Sequence, residues 1–94
     1  MKEIYSVQEY RDQNIIEEKR ENKDYQIKVA YIADDDNIIA VLVDGHHSFS
    51  AAIIDGVDPE IEIVESEYKS LEDYVIAFND LSNPVNIYNG KELW

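Results

Sequence analysis

Two adjacent histidines at the end of an apolar run are the residues best suited to chemistry in this chain. His46 and His47 follow Asp44-Gly45, and Ser48 comes next. Histidine changes charge close to neutral pH, so this pair is the first candidate for proton transfer or ligand binding. Neighbouring residues on a helix point about 100° apart, so the two rings are not expected to act on one atom. We expect one ring to face the turn and the other to pack or to form a hydrogen bond.

These residues lie between a predicted strand and a predicted helix. Residues 38–43 are apolar throughout, which is typical of a buried strand. Residues 47–54 predict a helix in which Phe49, Ala52 and Ile53 share the buried face, and Gly56 stands where a helix often ends. The first N–H groups of such a helix have no intrahelical partners and can bind an anion.

We therefore interpret Asp44, Gly45, His46, His47 and Ser48 as ligand-binding residues, with a phosphate or a nucleotide as the ligand to test. A turn whose histidines only cap the helix explains the same pattern equally well.

Other kinds of site have weaker support. The chain contains no cysteine, which excludes a thiolate nucleophile and cysteine-bound zinc. The two histidines with Asp44 or Asp55 lack the i, i+4 spacing of a helical zinc site. The Asp34-Asp35-Asp36 cluster lacks the ligand alternation of an EF-hand loop, so a solvated loop is the simpler interpretation. We assign no catalytic residue, no metal ligand and no required cofactor.

The stretch Asp44-Gly45-His46-His47-Ser48-Phe49-Ser50-Ala51-Ala52 resembles the motif of the ParB/sulfiredoxin superfamily. That motif combines a glycine, a basic or histidine-containing turn and an alanine-rich helix. The resemblance implies a ParB/sulfiredoxin-like domain whose turn and helix N-terminus bind nucleotide phosphates or approach nucleic acid. Family members generally carry an arginine where Ser48 stands, and sulfiredoxin chemistry needs a cysteine near His46. The resemblance therefore implies a stand-alone, degenerate and non-catalytic member that binds phosphate weakly.

The net charge of −13 is unevenly distributed along the chain. Residues 1–28 contain six basic and seven acidic residues, whereas residues 29–94 contain two basic and fourteen acidic ones. Nonspecific affinity for nucleic acid comes from neutralising phosphates, so direct nucleic-acid binding by residues 29–94 is disfavoured. A protein partner with a basic surface is favoured instead. Charge that only keeps a small protein in solution is the simpler alternative.

The remaining patterns predict a small mixed sheet with about three helices, an α+β or α/β domain. Residues 25–32 and 38–43 predict a central hairpin whose loop is Asp34-Asp35-Asp36-Asn37. Residues 60–65 alternate in polarity and predict a strand with Ile61 and Ile63 facing inward.

One helix is predicted before these strands in the sequence and another after them. The polar segment 6–24 predicts a surface helix that begins with a Ser6–Glu9 capping box and packs through residues such as Tyr10. Ser70 opens a second predicted helix that ends near Asn79-Asp80. Residues 85–88 predict a short last strand before the Asn89-Gly90 turn, after which Leu93 and Trp94 are expected to pack against the body.

Length and composition predict a single domain over residues 1–94. The longest apolar run, residues 38–43, is too short to span a bilayer, and the N-terminus has no signal-peptide pattern. The absence of cysteine fits a reducing compartment, so we expect a cytoplasmic protein that is not bound to a membrane.

Two functions of different kinds follow from these observations. The first is a non-catalytic domain that binds phosphate or a nucleotide weakly at Gly45–Ser48 and acts through protein interactions. The alternative is an acidic DNA mimic or inhibitor of phage or plasmid type, which competes for the basic groove of a nucleic-acid-binding protein.

Overall fold

A computed structural model of the chain describes residues 3–8, 11–78, 81 and 83–93. Within these residues the chain forms three helices and five strands, in the order β1 (Tyr5–Ser6), α1 (Gln13–Glu21), β2 (Gln26–Asp34), β3 (Asn37–Asp44), α2 (His46–Asp55), β4 (Glu60–Ile63), α3 (Leu71–Phe78) and β5 (Val85–Asn86). The strands form one mixed sheet, which confirms the predicted α+β class.

The hairpin of β2 and β3 forms the middle of the sheet, as predicted. The strand order is β4-β2-β3-β1-β5. Asp34 pairs with Asn37, so the hairpin loop consists of Asp35 and Asp36. Asp35 has a φ of 53°, a conformation that aspartate adopts more readily than most residues. β4 runs parallel to β2 and β1 runs parallel to β3, whereas β5 is antiparallel to β1.

The two faces of the sheet carry separate apolar cores. The core under α3 contains Val7, Ala30, Ile32, Val41, Leu71 and Tyr74. The core under α2 contains Ile4, Ile27, Val29, Leu42 and Phe49. Helix α1 packs against α2. The order of layers is therefore α1, α2, sheet and α3. The turn before α2 connects the sheet to the α2 layer.

The first helix begins later than predicted. α1 begins at Gln13 because the Asp12 carboxylate caps it, accepting hydrogen bonds from the Asn14 and Ile15 backbone N–H groups. Ser6 is not a helix cap. It lies in β1, and its hydroxyl accepts a hydrogen bond from the Gln8 N–H. Pairing with β3 and β5 outweighs the local helical preference here. Glu9 and Tyr10 lie outside the described residues.

The other helices largely follow the predictions. α2 ends at Asp55, and Gly56 follows in the left-handed region with a φ of 67°. Phe49 and Ala52 are buried as expected, but Ile53 is exposed, and Ser48 and Ala51 are buried in its place. The Ser70 hydroxyl caps α3 by accepting a hydrogen bond from the Asp73 N–H at 3.1 Å.

The C-terminal segment has a shorter strand and a longer turn than predicted, because residues 87–90 form the turn. β5 is only Val85–Asn86, and Val85 also forms a bridge with Glu92. Gly90, with a φ of 75°, closes the turn between them. Leu93 packs against the core under α3, as predicted. Trp94, Asn79 and Asp80 lie outside the described residues.

The prediction that Ile61 and Ile63 face inward is wrong. Their exposed fractions are 41% and 53%, and every residue of β4 is exposed. The residues beside them on β2, Ile27 and Val29, are fully buried. Helix α2 packs against β2, and no helix makes a comparable contact with the described residues of β4, so the apolar side of β4 lies open.

Candidate functional site

Gly45 makes the sharp turn between β3 and α2. It has a φ of 93°, and a Cβ atom at this position would lie 2.6 Å from the Gln26 carbonyl oxygen and 2.9 Å from the Ile27 Cα. Only glycine satisfies both the backbone conformation and the close approach. Its own carbonyl accepts the hydrogen bond of the Phe49 N–H at 2.8 Å, which starts the helix. Close packing on β2 therefore accounts for this glycine without any ligand.

His46 and His47 occupy the first turn of α2, with ring centroids 4.4 Å apart and an angle of 33° between the ring planes. The two rings lie closer together than the angle of about 100° between neighbouring helix positions suggested. His47 Nε2 accepts a hydrogen bond from the Asp12 backbone N–H at 3.1 Å. Burial lowers the pKa of His47, and nearby Arg11 lowers it further. Neutral His47 therefore joins the start of α2 to the start of α1.

Ser48 is buried and faces the loop after α1. Its hydroxyl lies 3.5 Å from an Asp24 carboxylate oxygen, to which it donates. Asp24 also accepts a hydrogen bond from Lys19 at 2.9 Å. That bond, more than any other interaction, lowers the pKa of Asp24. Ser48 is thus partnered within the protein, at the position where the resembled family carries an arginine.

A small polar cavity of about 240 Å³ opens beside the turn. Its lining consists of Lys19, Asp24, Gln26, Lys28, Asp44, Gly45 and Ser48. Three of the five predicted site residues therefore surround one cavity, while the two histidines do not line it. The two lysines were missed by sequence reasoning, because they lie on α1 and β2 and reach the turn only through the tertiary fold.

The charges in this cavity are balanced. Two lysines and two carboxylates line it, and one lysine is already paired with Asp24. An anion would gain from Lys28 and the helix N-terminus but would lie close to Asp24 and Asp44. The geometry therefore allows weak anion binding at most.

Asp55, considered above as a metal ligand, has a structural role. One of its carboxylate oxygens accepts a hydrogen bond from Arg20 Nε at 2.7 Å and the other accepts one from the Tyr25 hydroxyl at 2.7 Å. The tyrosine bond and then the arginine bond lower the pKa of Asp55. Among the described residues, no group of three histidine, aspartate or glutamate side chains is placed to hold a metal ion.

A second concave surface lies on the same side of the sheet as α2, beyond the part that this helix covers. We call it the open face and define it by Tyr31, Ile38, Ile61 and Ile63, whose exposed fractions are 53%, 73%, 41% and 53%. These side chains border a shallow groove of about 410 Å³. Glu3, Val29 and Ala40 also line the groove. Sequence reasoning missed this surface because it placed the isoleucines of β4 in the core.

Comparisons with protein-family models, curated proteins and solved structures give no significant match for this chain. None of the described helices has the length and apolar character needed to cross a membrane.

Proposed function

We propose that this protein is a non-catalytic interaction domain that binds a basic protein partner on its open face. The observation that carries the proposal is the group of exposed apolar side chains Tyr31, Ile38, Ile61 and Ile63 on a sheet rich in carboxylates. Adjacent exposed apolar residues bordered by charge are typical of protein interaction sites.

The net charge of the strands that form the open face specifies the partner. Strands β2, β3 and β4 with the hairpin loop contain six acidic residues, and Lys28 is their one basic residue. A second copy of the chain would also carry a net charge of −13, so self-association at low salt is opposed by repulsion. A basic protein surface with an apolar centre complements both features.

The test is affinity capture from the source organism with three immobilised proteins at low and high salt. The wild-type chain is compared with Ile38→Glu, which places a charge in the open face. Ile76→Glu is the matched control, because Ile76 is 66% exposed on α3, which packs on the opposite side of the sheet. We expect one basic protein to be retained by the wild type and the control, and to be lost with Ile38→Glu and at high salt. Equal retention by all three proteins, or no basic protein among those captured, would refute the proposal.

The DNA-mimic alternative is a special case of this function, in which the partner's basic surface normally binds nucleic acid. The acidic composition of residues 29–94 supports it. Double-stranded DNA added to the captured complex would then release the partner, whereas an equal concentration of a neutral polymer would not. A partner that stays bound in excess DNA contradicts the mimic.

Weak phosphate or nucleotide binding at Gly45–Ser48 is a second candidate function. It is favoured by Lys19 and Lys28 in the lining of the adjacent cavity. Titration of the ¹⁵N-labelled protein with ATP, CTP and ADP should shift the Gly45 and Ser48 amides, and Lys28→Gln should weaken the effect. Unchanged spectra at millimolar nucleotide exclude this candidate and remove the main functional support for the ParB/sulfiredoxin resemblance.

A further inference from the structure

β4 presents an unpaired backbone edge next to the open face. In the part of the chain that the structure describes, β4 is the last strand on its side of the sheet. The Glu60 N–H donates to the Tyr25 carbonyl and the Val64 N–H donates to the Val29 carbonyl, both at 2.9 Å. Alternate residues of a strand direct their backbone groups to opposite sides, so those of Ile61 and Ile63 point away from β2. Two N–H groups and two carbonyl groups are therefore directed toward an incoming chain.

We propose that the basic partner binds by adding a strand to the β4 edge, with apolar residues alternating with lysine or arginine. This inference rests on the proposed function and adds the mode of binding and the sequence pattern of the partner. Strand addition to an exposed edge obtains affinity from backbone hydrogen bonds and specificity from alternate side chains.

The side chains of β4 specify that alternation. Ile61 and Ile63 pair with Ile27 and Val29, so they lie on the same side of the sheet as the open face. Glu60 and Glu62 point to the other side, where a Glu62 carboxylate oxygen accepts a hydrogen bond from the Gln26 side chain at 3.1 Å. Residues directly across from each other on paired strands lie on the same side of the sheet. An incoming strand therefore needs apolar residues on the isoleucine side and basic residues on the glutamate side.

The same glutamates disfavour pairing between two copies of this chain. Two β4 strands placed edge to edge would bring Glu60 and Glu62 of one copy against those of the other. Charged side chains on edge strands commonly prevent such self-association. The β4 edge is thus selective for a segment of opposite charge.

The experiment uses the intact ¹⁵N-labelled protein and the capped peptide Lys-Val-Lys-Val-Lys-Val-Lys at low salt. Amide hydrogen exchange is measured at Ile61 and Ile63, with Glu60 and Val64 as internal references that already donate to β2. If the peptide is added until about 90% of the protein is bound, Ile61 and Ile63 should exchange up to about tenfold more slowly, because only the free fraction exposes them. Exchange at Glu60 and Val64 should change little.

Three control peptides separate strand addition from charge attraction. Lys-Lys-Val-Val-Val-Lys-Lys has the same composition without alternation and should bind more weakly. A peptide with glutamate in place of every lysine should not bind. N-methylation of all valines or of all lysines blocks one edge of the peptide strand, so one of these two peptides should lose binding and the other should keep it.

The outcomes distinguish this inference from the function on which it rests. Slower exchange at Ile61 and Ile63, together with loss of binding in one N-methylated peptide, supports strand addition. Equal binding of the alternating and rearranged peptides, or binding without slower exchange, overturns strand addition but leaves a partner on the open face intact. Absence of binding by the alternating peptide also overturns it. The proposed function fails separately, if capture does not depend on Ile38.

Discussion

Replacement of His47 by phenylalanine separates a structural histidine from a functional one. Phenylalanine keeps an aromatic ring but removes Nε2, the acceptor of the Asp12 N–H 3.1 Å away. Without this acceptor, the partly buried Asp12 N–H loses the net stabilisation from its hydrogen bond and part of its solvation. Together these losses lower the free energy of unfolding by about 1–2 kcal/mol. For a domain of this size, that loss corresponds to a decrease of about 1 M in the urea midpoint.

The pH dependence of this loss of stability tests the structural role of His47 more specifically. Protonation of Nε2 turns the acceptor into a donor that faces another donor, and burial already holds the pKa of His47 below its ordinary value of 6.5. The unfolded chain therefore takes up the proton first. The stabilisation by His47 is complete above about pH 6.5 and is lost as the pH falls below it. The difference in stability between wild type and His47→Phe should accordingly be largest at pH 7.5 and smaller at pH 5.5.

Urea unfolding followed by circular dichroism at both pH values measures this difference. His46→Phe is the matched control, because it replaces the neighbouring imidazole with a phenyl ring and leaves the hydrogen bond between His47 and Asp12 in place. It should retain the part of the pH dependence that belongs to His47. If His47→Phe is as stable as the wild type at pH 7.5, or if its deficit is the same at pH 5.5, the structural interpretation of His47 is refuted.

Three further predictions concern the rest of the fold. Gly45→Ala should destabilise the protein more than Gly56→Ala, by at least about 1 kcal/mol in thermal unfolding, because both have positive φ but only Gly45 leaves no room for a Cβ. Tyr74→Phe should cost about 1 kcal/mol at neutral pH by removing a 2.7 Å hydrogen bond to a β3 carbonyl. Because burial raises the pKa of Tyr74 to about 12, the wild type should lose this advantage in urea titrations as the pH rises from 10 toward 12. Asp55→Asn should be less stable than the wild type at neutral pH, and in urea titrations this difference should shrink as the pH falls below 3.8, because the bonds from Tyr25 and Arg20 lower the pKa of Asp55 and stabilise its ionised form.

Features that depend on local backbone chemistry could be predicted from the sequence. Gly56 ends α2 because the left-handed conformation suits glycine, and Ser70 caps α3 through a hydrogen bond three residues away. The hairpin loop at Asp35-Asp36 follows from turn-forming residues between two apolar strands. Each of these signals is contained within a few neighbouring residues.

Features that depend on distant partners could not be predicted. Ser6 forms a strand because of pairing with Val85, far along the chain. The bond from Asp12 to His47 spans 35 residues, and nothing in either local pattern indicates it. Alternation along β4 showed which side of the strand is apolar, but it could not show whether another layer covers that side. Ile61 and Ile63 were misplaced for this reason.

The position of β1 limits the order in which the strands of the sheet can pair. β1 contains only Tyr5 and Ser6, yet it lies between β3 and β5, where Tyr5 pairs with Asn86 and Ser6 with Val85. During synthesis β1 therefore has no neighbour on one side until residues 85–86 have left the ribosome. Contacts between residues so far apart in sequence form slowly, because the intervening chain must be ordered first. We expect the β2–β3 hairpin to form early, and the pairing of β1 with β5 to complete the sheet as its last step.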